Sequence, residues 1–358
     1  MNFQKESLPE GATKIASTPT MNEETVVPGI LKKHLAPRGR FGYLVVEEGV
    51  YTEASHDIKM EAVQFHPTTL SPSGILVTEG CRGDGGYLLD RNLKRFMVER
   101  EPEKQELASR DVVSRHMAQV MRDGDGVDSP YGPHLWLDIR HLGEEHLRTK
   151  LLEVWAICRD FVGINPAEKL IPVRPTQHYS MGGIRVNKDG QAYGLAGLFA
   201  VGEAACWDMH GFNRLGGNSL AETLVTGRVV GRRVAEYAAG TDLRCNTGFA
   251  FDALAGAEHV AAAWLARSGA GRSVYEIRDA MGEIMMHKVG IFRNGDELAE
   301  AIAELGQLLD DCDGAVLRCK DPGLNPELAF ALRLKGMLRL SMTVARGALA
   351  RTESRGAH

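Results

Sequence analysis

No run of apolar residues in this chain is long enough to span a bilayer. The first residues, MNFQKESLPEGATK, lack the apolar core of a secretory signal. Attachment to a membrane would therefore fall to a partner. Cysteine is sparse too: Cys81, Cys158, Cys206, Cys245, Cys312 and Cys319 include no C-x-x-C pair. That spacing argues against an iron–sulfur or zinc centre and for reduced, mostly buried thiols in a cytosolic protein, so no metal site is expected. Positive charge is not in excess either. A formal net charge of -5 argues against a nucleic-acid partner. Finally, the string G-x-G-x-x-G, which cradles dinucleotide phosphates, occurs nowhere.

What is present is an ordinary globular composition, 44% apolar and 25% charged, over 358 residues, enough for two or three domains. Residues 1–57 are uneven and carry no motif, with YLVVEEGVY as one candidate strand. From Met60 to about Gly240 the chain is dense in glycine turns. There the spacing of Val113, Met117 and Val120 predicts a helix capped by Ser109, which places Arg110 in the first turn. LWLDI reads as a strand, KLLEVWAICRDFVG as a helix and GLFAVGE as a short buried strand ending in Glu203. Ser219 and Glu222 form S-x-x-E, a capping-box pattern that opens a further helix. On it Leu220, Leu224, Gly227, Gly231 and Val234 make a stripe able to lie close against a sheet. Beyond Thr247 three amphipathic helices are predicted: one carrying Val274, Ile277, Met281 and Ile284, one carrying Leu298, Ile302, Leu305 and Leu308, and one entered through Asn325-Pro326 and running to about Leu349. The whole reads as an α/β body followed by a helical domain.

Strand, acidic residue, glycine turn and helix start, in that order, suit a bound dinucleotide or flavin. The helix start offers free N–H groups, Gly216 and Gly217 allow close approach, Asn218, Ser219 and Leu220 supply contacts, and Glu203 can accept from ribose hydroxyls. A plain structural turn has the same pattern. His66 in QFHPTT, Glu79 and Arg82 in TEGCRGDGG, Arg110 in ASRDVVSR, His178 in PTQHYSMGG and Arg214 in FNRLGG form the set a small dicarboxylate would need, guanidinium forks for its carboxylates and imidazoles for the remaining oxygens. Taken singly, each histidine also reads as a satisfied core residue and each arginine as a solvated charge.

Six segments together resemble one family. MEAVQFHPTTL, GILVTEGCRGDGG, ELASRDVVSR, PVRPTQHYSMGGIRV, GLFAVGEAACWDMHGFNRLGGNSLAE and RTESRGAH follow the order of the fumarate reductase / succinate dehydrogenase flavoproteins, from about Ile58 to the last residue. The wording is nearest to bacterial menaquinol-linked fumarate reductases. The resemblance implies an α/β fold, with an α+β capping domain (58–175) and a partial FAD-binding domain (176–240), followed by an all-α three-helix domain (247–358). It implies FAD as cofactor, held by Glu203, Asn218, Ser219 and Leu220, and fumarate or succinate held by His66, Thr78, His178 and Arg214. Hydride would pass between flavin N5 and one carbon while Arg110 delivers the proton, with Glu79 and Arg82 relaying protons to it.

An iron–sulfur subunit and a membrane anchor are the implied partners, placing the protein in the cytoplasm on the inner face of the membrane in a quinone-linked complex. Members of the family open with a strand–GxGxxG–helix unit and a histidine that links to the flavin, and continue past RGAH. This chain has neither, so it is expected to correspond to the middle of a flavoprotein, with a sheet short of its central strands and weakened FAD affinity. An L-aspartate oxidase-like enzyme, or a catalytically silent remnant, are the alternatives.

Overall fold

The computed structural model describes residues 59–241 and 247–358. The candidate strand YLVVEEGVY, the rest of residues 1–57 and Cys245 lie outside the described residues. The chain divides into two compact units, one built on Val63–Ser180 with Ser354–Ala357, the other on Met181–Glu353 with the residues up to Ala62 and His358.

In the Val63–Ser180 unit, four antiparallel strands form a sheet in the order β1-β4-β3-β2: β1 (Val63–Leu70), β2 (Tyr87–Leu89), β3 (Leu135–Asp138) and β4 (Ile171–Ser180). The alternation in LWLD buries Leu135 and Leu137 and leaves Trp136 half-buried. Short helices α1 (Gly80–Gly83) and α2 (Met97–Arg100) lead to α3 (Arg110–Arg122), which packs on β1. Its buried positions are Val113, Ser114, Met117 and Val120, the spacing read from the sequence. Ser109 is the N-cap residue, but its hydroxyl bonds Asp111 at 2.6 Å instead of a backbone N–H. Helices α4 (Glu144–Lys150) and α5 (Leu152–Val162) follow, and α5 stops where Gly163 turns left-handed at φ +66°. Leu70, Met97, Leu135, Leu137, Trp155 and Ile171 lie in one core with Cys81 and Cys158.

β1 and β4 are not regular. Gln64 and Phe65 are consecutive but face Tyr179 and Gln177, so His178 is an extra residue on β4. His66 and Thr69 face Thr176 and Arg174, so Pro67 and Thr68 add one residue to β1. Proline cannot donate to a ladder, and a bulge is where a strand tolerates it. Both histidines of the predicted site therefore stand beside a bulge.

In the other unit, β5 (Ile184–Arg185) and β6 (Ala205–Cys206) pair in parallel. The strand expected at GLFAVGE does not form: Phe199 makes a single bridge to Gln191, and Gly202–Ala204 is a 3-10 turn. A buried strand needs a ladder to satisfy its N–H and C=O groups. Among the described residues this segment finds only that bridge.

Helix α6 (Asn218–Ala239) begins one residue before Ser219, with Gly217 as N-cap at φ +78° and no side-chain cap. The expected Ser219–Glu222 capping box is absent, because Glu222 is buried against His210, Nε2 to Oε2 at 2.7 Å. The same S-x-x-E string does make a box at Ser273–Glu276, where the flanking geometry permits it. Among the described residues the stripe expected to face a sheet is exposed: Leu220 is 73% and Leu224 75% exposed, and a Cβ at Gly227 or Gly231 would meet nothing within 4 Å. The buried face of α6 is Glu222, Thr226 and Val230.

Among the described residues, four further helices belong to this unit: α7 (Thr247–Ala266), α8 (Val274–Lys288), α9 (Gly295–Gly314) and α10 (Pro326–Ala350). Three were legible, and their predicted positions Val274, Ile277, Met281, Leu298, Leu305 and Leu308 are buried in one core. The Asn325 side chain caps α10 and Pro326 opens it. The addition is α7, which was missed because its alanine-rich sequence carries no clear apolar stripe.

Arg351, just past α10, grips Glu61 through Nε and Nη2 at 2.9 and 2.7 Å, and Glu61 is only 4% exposed. Gly347 leaves room for that carboxylate, since a Cβ there would lie 2.7 Å from Glu61 Oε2. Arg293 donates to the Glu61 carbonyl at 2.9 Å, and burial pushes its guanidinium down to about 10. Breaking a buried pair from one side strands a charge, so Arg351→Met should cost about 3–5 kcal/mol in urea unfolding. Adding Glu61→Leu should recover much of that loss, whereas a loss below about 1 kcal/mol for Arg351→Met would mean that the pair is held only weakly.

Candidate functional site

His66 and His178, each beside a bulge, come together with ring centroids 5.2 Å apart and planes at 66°. His66 is fully buried. Its Nδ1 lies 3.3 Å from the Thr68 N–H and 3.2 Å from the Thr68 carbonyl, while its Nε2 has no hydrogen-bond partner among the described residues. A buried polar atom left open in this way is suited to a ligand. Burial, joined by the charges of Arg110, His178 and Arg82, lowers the His66 pKa from 6.5 to about 2, so this imidazole is neutral.

The loop between β1 and β2 supplies the next groups. Thr78 is half-buried, and its hydroxyl accepts from the Gly80 N–H at 3.2 Å. Glu79 accepts from Arg110 Nε at 2.9 Å and Nη2 at 2.8 Å, a two-pronged fork–carboxylate pair. The third Arg110 nitrogen, Nη1, donates to Gln64 Oε1 at 3.1 Å. Arg82 is buried, with Nη2 3.7 Å from Glu79 and Nη1 donating to the Glu106 carbonyl. Burial lowers its pKa, opposed by the charge of Glu79. Carboxylate and guanidinium groups thus alternate in contact from Arg110 through Glu79 to Arg82.

The remaining predicted residues belong to the other unit. Arg214 is buried, with Nη1 donating to its neighbour's Leu215 carbonyl at 3.0 Å. Its loop is tied by His210 to Glu222 and by Phe212, over whose ring the Arg351 guanidinium lies at 4.5 Å. Glu203 sits in the 3-10 turn that packs on α6. Asn218, Ser219 and Leu220 form the first turn of α6, which has no acidic residue and no side-chain cap. The positive end of the helix dipole, with Leu215, Leu220 and Leu224 exposed beside it, fits the negative charge and flat apolar ring of a flavin. Gln64, Glu106 and His210 carry no motif in the sequence, and Glu222 reads there only as a capping residue. Gln64 stands two residues before His66 in the same strand, the one signal that could have drawn notice.

An FAD binding domain matches residues 49–220, and the fumarate reductase flavoprotein C-terminal region matches residues 278–358. The fumarate reductase flavoprotein subunit of Helicobacter pylori is 46% identical over 326 residues, 84% of this chain and 45% of that protein. The Escherichia coli subunit is 37% identical over 88% of this chain and 54% of its own length. A solved quinol–fumarate reductase with menaquinol molecules superposes at a TM-score of 0.77 and 37% identity, over 84% of this chain and 53% of its own.

The chain belongs to the fumarate reductase flavoprotein family. It spans about half the length of the curated relatives it matches. The family is one of FAD-dependent oxidoreductases, and FAD is its cofactor.

Unfolded, His66 takes up a proton as pH falls through about 6.5; folded, it stays neutral down to about 2. The unfolded state therefore binds the extra proton. Stability is lost as pH falls below 6.5, by up to about 1.4 kcal/mol per unit from this residue. His66→Gln should flatten the slope of the urea midpoint between about pH 6.5 and 5. An unchanged slope would contradict a neutral, buried imidazole.

Proposed function

We propose that this chain carries the flavin-dependent interconversion of fumarate and succinate, as part of the flavoprotein subunit of a quinone-linked complex. The observation that supports this most is Arg110: largely buried, forked onto Glu79, in the unit that also brings His66 and His178 together. FAD, when bound, supplies two-electron oxidation and reduction. Its ring would lie against Asn218, Ser219 and Leu220, with Glu203 toward the ribose.

Everything else falls to the chain's own groups. His66, neutral, offers Nε2–H to a substrate carboxylate, and Thr78, His178 and Arg214 take the other oxygens. Arg214 supplies fixed positive charge that draws electron density out of the carbon–carbon double bond. Arg110 holds a proton on its guanidinium and delivers it to the alkene carbon. A guanidinium is ordinarily too weak an acid for this, so the proton must be replaced as it leaves. The Glu79 carboxyl, 2.8 Å away, is placed to do that and is refilled through Arg82. In succinate oxidation the same chain runs outward.

An iron–sulfur subunit and a membrane anchor are the proposed partners; one relative is named as the flavoprotein subunit of an 8-methylmenaquinol:fumarate reductase, which supports a multi-subunit, quinol-linked assembly. No helix among the described residues is long and apolar enough to cross a membrane. Those proposed partners would hold the protein peripherally on the cytoplasmic face.

The test is Arg110→Lys in the FAD-loaded protein, assayed for fumarate reduction with a reduced dye. Loss of a positioned proton donor should lower kcat by on the order of 100-fold or more, with KM changed far less. Retention of more than about a tenth of kcat would overturn Arg110 as the donor. Oxidation of aspartate by oxygen in place of fumarate reduction would instead favour an aspartate oxidase.

A further inference from the structure

Arg82 is held at both ends. One end faces Glu79; at the other, Nη1 donates to the backbone carbonyl of Glu106. That carbonyl sits in a 3-10 turn, Gln105–Leu107, three residues before α3 and Arg110. The turn is not one the local sequence favours. Gln105 adopts φ +49°, in the left-handed region that costs a side-chain-bearing residue energy and persists only where the surroundings impose it.

Arg95 imposes it. Its Nε and Nη2 donate to the two Glu106 carboxylate oxygens at 2.8 and 2.6 Å, and Nη2 also donates to Gln105 Oε1 at 2.7 Å. One guanidinium thus grips two successive side chains of the turn. Glu106, 2% exposed, also accepts from the Leu88 N–H of β2 at 3.2 Å, which fixes the turn to the sheet. The Arg95 guanidinium is itself seated over the Tyr87 ring at 4.3 Å, and Tyr87 stacks on His141 at 4.5 Å.

We propose that Arg95 and Glu106 act as a positioning clamp: they lock the Gln105–Leu107 turn so that the Glu106 carbonyl holds Arg82 aimed at Glu79. The functional half of this inference rests on Arg82 being a proton relay, as proposed above. The clamp touches neither substrate nor flavin. Its effect should therefore appear in proton delivery and not in dicarboxylate binding.

The experiment is a double-mutant cycle on the full chain with FAD supplied, using Glu106→Gln, Arg82→Gln and both together. Glu106→Gln keeps the shape and the Leu88 bond but loses half of the grip of Arg95. Its kcat for fumarate should fall about tenfold and its pH–kcat profile should shift, while KM stays within about twofold. In the Arg82→Gln background the same change should cost almost nothing further. Equal losses in both backgrounds would overturn the clamp as a device acting through Arg82.

The same four proteins unfolded in urea give an answer independent of activity. The midpoint shift of the double variant should be smaller than the sum of the single shifts, and additive shifts would overturn the clamp. If the unsubstituted chain with FAD did not reduce fumarate, the proposed function would fall, and the urea cycle would still decide whether the turn holds Arg82. Should Glu106→Gln fail to fold, Arg95→Lys, which keeps a charge but loses the fork, takes its place in the cycle with the same expected outcomes.

Discussion

The bidentate pair between Arg110 and Glu79 is the interaction on which the site depends. Arg110 sits largely out of water with 10% of its side chain exposed, and Glu79, 39% exposed, takes both prongs of its fork. Remove Glu79 and Arg110 becomes a costly lone cation; remove Arg110 and Glu79 loses the partner that fixes its two oxygens. The fold serves this pair. Helix α3 presents Arg110 in its first turn by burying Val113, Met117 and Val120, and the β1–β2 loop brings Glu79 to meet it. The bulged pairing of β1 with β4 brings His66 and His178 together in the same unit.

The other unit offers a different kind of chemistry. Arg214 lies buried in a loop tied by His210, Phe212 and Arg351, and Leu215, Leu220 and Leu224 are exposed at the positive end of α6. That combination is suited to a flat ring carrying negative charge. The division of labour is physical: one unit holds titratable groups in a low-dielectric core, the other presents helix dipole and apolar surface.

Much of this was legible because the chain writes its chemistry in compact motifs. Arg110, Glu79, Arg82, His66 and His178 were all drawn from short strings, and the helix spacings of α3, α8 and α9 came from periodicity. What was not legible depended on contacts between distant residues. Glu222 looks like a capping residue until His210, twelve positions earlier, takes its carboxylate. GLFAVGE looks like a strand, but a strand exists only where neighbours satisfy its backbone. The Leu220–Val234 stripe reads as buried from its pattern alone, yet among the described residues Leu220 and Leu224 are exposed. Helix α7 was missed for the opposite reason, a composition so uniform that no face stands out. Glu106 carries no signature and Gln64 only its place two residues before His66, since their roles arise from what the fold places beside them.

The account stands or falls on one reaction. The full chain, loaded with FAD and chemically reduced under anaerobic conditions, should lose the oxidised flavin band near about 450 nm. Adding fumarate should then restore that band, with one succinate formed for each flavin reoxidised. A flavin that binds, is reduced, and stays reduced in the presence of fumarate would contradict the central claim that these residues together form a fumarate-reducing site.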